Sequence, residues 1–196
     1  MTTIRRLCIA ACLLFACGDD DSTTAGPDAA TETDAAMSGE TTTYYVVRHT
    51  ERDPGFDPPV NAEGEVRAVA LADRLEGAGI DEIVTTQFIR GQQSGQPLAD
   101  RLGQTITVAP FSMDASWPDF ATAVGGWQRD REVSGQTYLM IGHSGGYNTT
   151  LLNRLGADLS TATGERYEEL VILVRAPDGT VSVTVETYGG ESSLDP

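Results

Sequence analysis

The chain contains no lysine; all thirteen of its basic residues are arginines. A Walker A phosphate loop, a lysine Schiff base and a Ser-Lys pair each need that missing amine, so all three are excluded. Cysteine is almost as scarce. Cys8, Cys12 and Cys17 crowd into the first seventeen residues, and no residue after them carries a thiol. That removes a cysteine nucleophile, a cysteine-ligated zinc and an internal disulfide from the rest of the chain. Histidine occurs twice, as His49 and His143. With scattered carboxylates, this offers no dedicated transition-metal site and implies no cofactor, although a carboxylate-held Mg²⁺ stays open. Positive charge is short overall, with a formal net charge of −16. Such a chain lacks the clustered basic surface that nucleic acid requires. A phosphate-bearing ligand must therefore be drawn in by a local group of arginines, against the overall field.

Long apolar runs are also missing. The longest candidate, residues 7–16, is too short to span a bilayer, which takes roughly 20 apolar residues. With Arg5 and Arg6 before it, it reads as an export signal over residues 1–17. The run ends in Leu14-Phe15-Ala16-Cys17. This resembles a bacterial lipobox, which implies cleavage before Cys17 and a lipid on that cysteine; the alternative is an ordinary cleaved signal peptide. The lipobox reading places the protein on a membrane, facing the periplasm or the cell exterior. Residues 18–42 hold seven acidic residues, no basic one and almost nothing to bury. Such a segment cannot offset its ordering entropy and reads as a disordered acidic tether. The folded domain is expected over residues 43–196.

Along that domain, strand and helix patterns alternate. Strands are predicted at 43–48, 83–85, 105–108 and 137–141, and helices at 62–76, 88–102, 120–129 and 147–155. Pro97 is expected to kink or restart the second helix. Residues 170–174 and 181–187 form two further strands around the turn signal Pro177-Asp178-Gly179. The pattern implies a three-layer α/β/α sandwich with a mainly parallel sheet and an antiparallel edge hairpin.

Ligands of such sheets bind beyond the carboxyl ends of the strands. Arg48-His49 and Gly142-His143-Ser144 both fall at such ends. Histidine serves as nucleophile, base or ligand near neutral pH, and two histidines in matched contexts point to one shared site. Arg90 follows a third strand, near a helix start where the dipole disfavours a cation. Gly142-His143-Ser144-Gly145-Gly146 also matches the G-x-S-x-G nucleophile elbow of α/β-hydrolases. That fold needs a histidine after the serine, and none follows Ser144, so the esterase reading is set aside.

Four segments in order resemble the histidine phosphatase superfamily, the phosphoglycerate-mutase-like fold. They are Val47-Arg48-His49-Thr50-Glu51, Asn61-Ala62-Glu63-Gly64, residues 86–94 (Thr-Gln-Phe-Ile-Arg-Gly-Gln-Gln-Ser), and Gly142-His143-Ser144. Gln87, Gly91 and Ser94 stand where the family pattern has Pro, Ala and Thr. The resemblance implies a phosphomonoesterase in which His49 attacks phosphorus and forms a phosphohistidine that water hydrolyses. It also implies that Arg48, Arg90, His143 and the Ser144 backbone N–H bind the phosphate. The leaving alkoxide needs a proton. Asp114 has about the family's spacing from Arg90, with Glu51 and Asp119 as alternatives, and Arg52 is a further candidate contact. The expected substrate is a phosphorylated small molecule or side chain. The loop at 111–127, with Trp117 and Trp127, is expected to shape the pocket mouth. A non-catalytic phosphate-binding module is the rival reading.

Overall fold

The computed structural model describes residues 39–112 and 116–193. Cys17 and Asp114 lie outside them, as do nearly all of the leader and tether segments. Ten elements alternate: β1 (Thr42–Arg48), α1 (Ala62–Leu75), β2 (Glu82–Thr85), α2 (Ile89–Leu102), β3 (Thr107–Val108), α3 (Trp117–Arg131), β4 (Thr137–Gly142), α4 (Tyr147–Arg154), β5 (Glu169–Arg175) and β6 (Val181–Thr187). The sheet order is β3-β2-β4-β1-β5-β6. β1, β2, β3 and β4 pair in parallel, whereas β5 and β6 complete one edge as antiparallel strands. The predicted sandwich is therefore the observed one.

Alternation along the central strands builds the three layers. Tyr44 and Val46 of β1, with Tyr138 and Met140 of β4, pack with α3 and α4 on one face. Val47, Leu139 and Ile141 pack with α1 and α2 on the other. Successive strand residues point to opposite faces, so a sheet covered on both sides reads as an unbroken apolar run.

β3 keeps only Thr107–Val108 of the predicted 105–108, and three further differences from the sequence reading have local causes. β1 starts at Thr42, and just before it Glu40 exchanges hydrogen bonds with Ser134: Glu40 N to Ser134 Oγ at 3.1 Å, and Ser134 Oγ to Glu40 O at 2.9 Å. α2 runs through Pro97 as one helix; Pro97 flanks an open cleft between α1 and α2, where water can serve the carbonyl that lost its partner. α3 begins three residues early, at Trp117. Ser116 caps it, with its Oγ bonded to both the backbone N and the carboxylate of Asp119, and Pro118 sits in the first turn.

Two glycines one turn apart set α2 against the sheet. A Cβ on Gly91 would come within 2.3 Å of Thr85 Oγ1, and one on Gly95 within 2.8 Å of Ile141 Cδ1. Thr85 itself bonds the carbonyl of Ile141 in β4 at 3.1 Å. The departure from the family's Ala at position 91 thus has a local cause: the threonine hydroxyl fills the space a methyl would take. Close approach of this helix brings Arg90 to the strand ends.

Candidate active site

β2, β4 and β1 are adjacent parallel strands, so their carboxyl ends open onto one place. His49 follows β1, His143 follows β4, and Thr86 and Arg90 follow β2. Although 94 residues separate the histidines, their ring centroids lie 5.4 Å apart. His49 N donates to the carbonyl of Gly142 at 3.0 Å, which locks the two loops together. Glycine is required at 142, because a Cβ there would lie 2.0 Å from Asn148 Oδ1 and 2.7 Å from the Tyr147 ring.

His49 is 2% exposed. Its Nδ1 lies 2.8 Å from the carbonyl of Thr50. A carbonyl only accepts, so Nδ1 carries the proton and Nε2 of the neutral ring keeps its lone pair. Burial lowers the pKa of His49 to about 3, outweighing the Thr50 carbonyl; Arg90, Arg48 and Arg52 push the same way as burial. The ring is therefore neutral, as a nucleophile must be.

His143 is equally buried. Its Nε2 lies 2.8 Å from Thr86 Oγ1, and its Nδ1 has no hydrogen-bond partner. Phe88, Trp117 and Tyr147 surround the ring, with centroids at 5.2, 4.6 and 5.0 Å. Burial, then His49 and the arginines, holds its pKa well below the ordinary value, so the His143 ring is neutral. A cationic His143 requires an arriving anion to offset those arginines.

These depressed values have a consequence for stability. From about pH 6.5 down to about 3, the unfolded chain takes up a proton at His49 that the folded chain does not. Stability is thus fully present above the ordinary pKa and lost as pH falls, by at most about 1.4 kcal/mol per pH unit for each histidine. Denaturant titrations at pH 7, 5.5 and 4.5 should show this slope. The double variant His49→Asn/His143→Asn should be less acid-sensitive; an unchanged slope would contradict the assignment.

The arginines are held by contacts the sequence did not signal. Arg48 Nη1 donates to the carbonyl of Glu165 at 3.0 Å, and its guanidinium lies 3.7 Å from the centre of the Tyr167 ring. The Glu165 carboxylate caps α4, accepting from Gly146 N at 3.2 Å, Thr149 N at 3.4 Å and Thr149 Oγ1 at 3.1 Å. That helix start, three residues beyond Ser144, is served by Glu165. α4 starts at Tyr147, where the sequence reading put it, and Gly145 and Gly146, both at positive φ, separate Ser144 from its first turn. Ser144 is half-buried in that turn.

Arg90 is buried, and its Nη1 donates to Phe56 O at 3.2 Å and Asp57 Oδ1 at 3.1 Å. Asp57 also accepts from Ile89 N at 3.1 Å, supplying the cap that Phe88 lacks. The misfit of a cation near a helix start is thus offset by a carboxylate from another loop. Ser94 joins the two motifs. It donates to Arg90 O at 2.7 Å and accepts from Thr50 N at 2.8 Å, with Thr50 Oγ1 at 3.1 Å. Ser94→Ala should cost about 1–3 kcal/mol by leaving buried polar groups unpaired, readable as a lower denaturation midpoint. No measurable loss would show that water takes the hydroxyl's place.

The alternative proton donors are committed elsewhere. Glu51 is fully buried and pairs with Arg67 at 2.6 Å; the exposed Asp119 completes the α3 cap. Arg52 is half-buried, and its Nη1 bonds the carbonyls of Asp53 and Gly55. Trp117 joins the site, whereas Trp127 packs under Arg131, with Cζ 4.6 Å from its ring centre. Among the described residues, no three His, Cys, Asp or Glu side chains group as metal ligands.

Residues 42–123 match the family model of the histidine phosphatase superfamily (branch 1). The matched segment, which carries both His49 and Arg90, is similar to that superfamily. No curated protein matches the sequence. Among solved structures, the fold is similar to a mycobacterial glucosyl-3-phosphoglycerate phosphatase, with TM-score 0.58 and 13% identity over 76% of this chain and 99% of that one. It is also similar to a phosphoglycerate mutase from Bacillus anthracis, with TM-score 0.57 and 16% identity over 77% and 94%. The protein histidine phosphatase SixA, solved with tungstate, gives TM-score 0.54 and 16% identity over 74% and 96%. At these identities the likeness is one of fold.

Proposed function

We propose that this protein is a phosphomonoesterase that hydrolyses a phosphate ester through a phosphohistidine on His49. The observation that carries this reading is a neutral, buried His49 whose Nδ1 proton is engaged, 5.4 Å from His143 and within the field of Arg48, Arg52 and Arg90. The leading step is in-line attack of Nε2 on phosphorus: the N–P bond forms, the P–O bond to the leaving group breaks, and a protonated donor returns a proton to the alkoxide. Water then displaces phosphate from His49. Arg48 and Arg90 offer rigid guanidinium forks to the equatorial oxygens. His143 Nδ1, buried without a partner, gives a further donor when Thr86 Oγ1 donates to Nε2, or when the dianion draws a proton onto the ring. The similar structures include proteins named as phosphatases and one named as a mutase, and hydrolysis is the activity proposed for this chain.

Asp114 remains the proposed donor and lies outside the described residues. The substrate reading is a phosphorylated small molecule or side chain, and the anchor reading is export with a lipid on Cys17. Phosphate release from p-nitrophenyl phosphate by the purified protein tests the activity; Cys17→Ala, expected to release the protein from the membrane fraction, tests the anchor. The rival, a phosphate-binding module without turnover, draws support from the engagement of Glu51 and Asp119 elsewhere. Phosphate binding with no release from any ester would favour it.

A further inference from the structure

Phe56 is the most exposed large apolar side chain among the described residues, at 79%. Its loop does not depend on the ring for its shape. Residues 53–59 include Pro54, Pro58 and Pro59; Arg52 bridges to Val60 across the base, and Arg90 Nη1 holds the Phe56 carbonyl. The ring stands edge-on to Phe88, with centroids 5.9 Å apart. Phe88 in turn lies 5.2 Å from the His143 ring and 4.3 Å from Arg90 Cζ. Trp117 extends the same wall, 5.7 Å from Phe88. Phe88 itself is buried, so the aromatic faces left beside His143 and Arg90 are Trp117, partly exposed, and Phe56, open to solvent.

Charge sharpens the selection. Asp53 is exposed and Asp57 partly so, on either side of Phe56. The positive charge near the two histidines comes from Arg48, Arg90 and, bonded to its own loop, Arg52. A second anionic group, placed further out, meets carboxylates and a chain of net charge −16.

We propose that the site selects phosphate esters whose leaving group is aromatic and uncharged, with Phe56 as the specificity-determining contact. This rests on the phosphate site proposed above, but binding tests it without turnover. Calorimetry of the full chain with benzylphosphonate, n-butylphosphonate and 4-carboxybenzylphosphonate compares three non-hydrolysable probes with one shared anion. Benzylphosphonate should bind about fivefold tighter than the butyl compound, the size of one aromatic pair. The carboxylated probe should bind at least about tenfold more weakly than benzylphosphonate. Phe56→Ala should bring the benzyl-to-butyl ratio close to one, and Phe56→Tyr should restore it. The side chain is exposed, so these changes leave the fold intact, which thermal melting verifies. Equal binding of benzyl and butyl probes, a preference that survives Phe56→Ala, or tight binding of the carboxylated probe would overturn the proposal. Failure of every phosphonate to bind would remove the phosphate site and this inference with it. A benzyl preference in a protein that releases no phosphate would remove the phosphatase reading and leave the ligand class standing.

Discussion

Replacing His49 by alanine should lower p-nitrophenyl phosphate turnover by at least about a thousandfold. Nothing else in the site is prepared to replace it. The chain has no lysine and no cysteine beyond residue 17. His143 already has Nε2 at hydrogen-bond distance from Thr86 Oγ1, and its ring is enclosed by Phe88, Trp117 and Tyr147. The His49 backbone N, which holds the Gly142 carbonyl, survives the change, so the loop geometry should persist. Near-ultraviolet circular dichroism and phosphate binding of the variant check that the loss is chemical rather than structural. Turnover within tenfold of wild type would mean that water or another group attacks phosphorus directly.

The largest effect on stability is expected from Arg67→Ala, at about 3–5 kcal/mol. Arg67 Nε pairs with Glu51 Oε1 at 2.6 Å, with side-chain exposures of 3% and 0%. Its Nη1 donates to the carbonyls of Tyr188 and Gly190, both at 2.9 Å. Removing it strands a buried carboxylate and frees the C-terminal segment from α1. The same geometry explains the glycine in the first turn of α1: a Cβ on Gly64 would fall 2.2 Å from Glu51 O, so the helix packs directly on the chain two residues past His49. Urea denaturation should show the loss as a lower midpoint. Glu51→Gln/Arg67→Met, which removes both charges, should recover much of it. A proton donor at Glu51 predicts the reverse pattern: Arg67→Ala near-neutral in stability and Glu51→Gln selectively slow in leaving-group departure.

The sequence made the strand-to-helix alternation, both histidine junctions and Arg90 legible, because apolar runs and turn residues report directly on a sheet covered on both faces. Asp57, Glu165 and Tyr167 were not legible. They act across loops, at 33 residues from Arg90 for Asp57 and 117 from Arg48 for Glu165, and no period or spacing in the chain marks such pairs. Glu51 shows the opposite limit. Its place two residues after His49 suggested chemistry, but only the fold reveals that Arg67, sixteen residues on, claims it. Thr86 and Ser94 lay inside a matched segment without a role until the structure joined them to His143 and Thr50.

The central claim is a covalent phosphohistidine, and trapping it is the most direct test. The protein should be mixed with [³²P]p-nitrophenyl phosphate, quenched within milliseconds in alkaline denaturant, which preserves phosphohistidine, and mapped by proteolysis. The account predicts label on His49 in wild-type protein and none in His49→Ala. Label on another residue, or sustained turnover by His49→Ala with no label at any time, would contradict it.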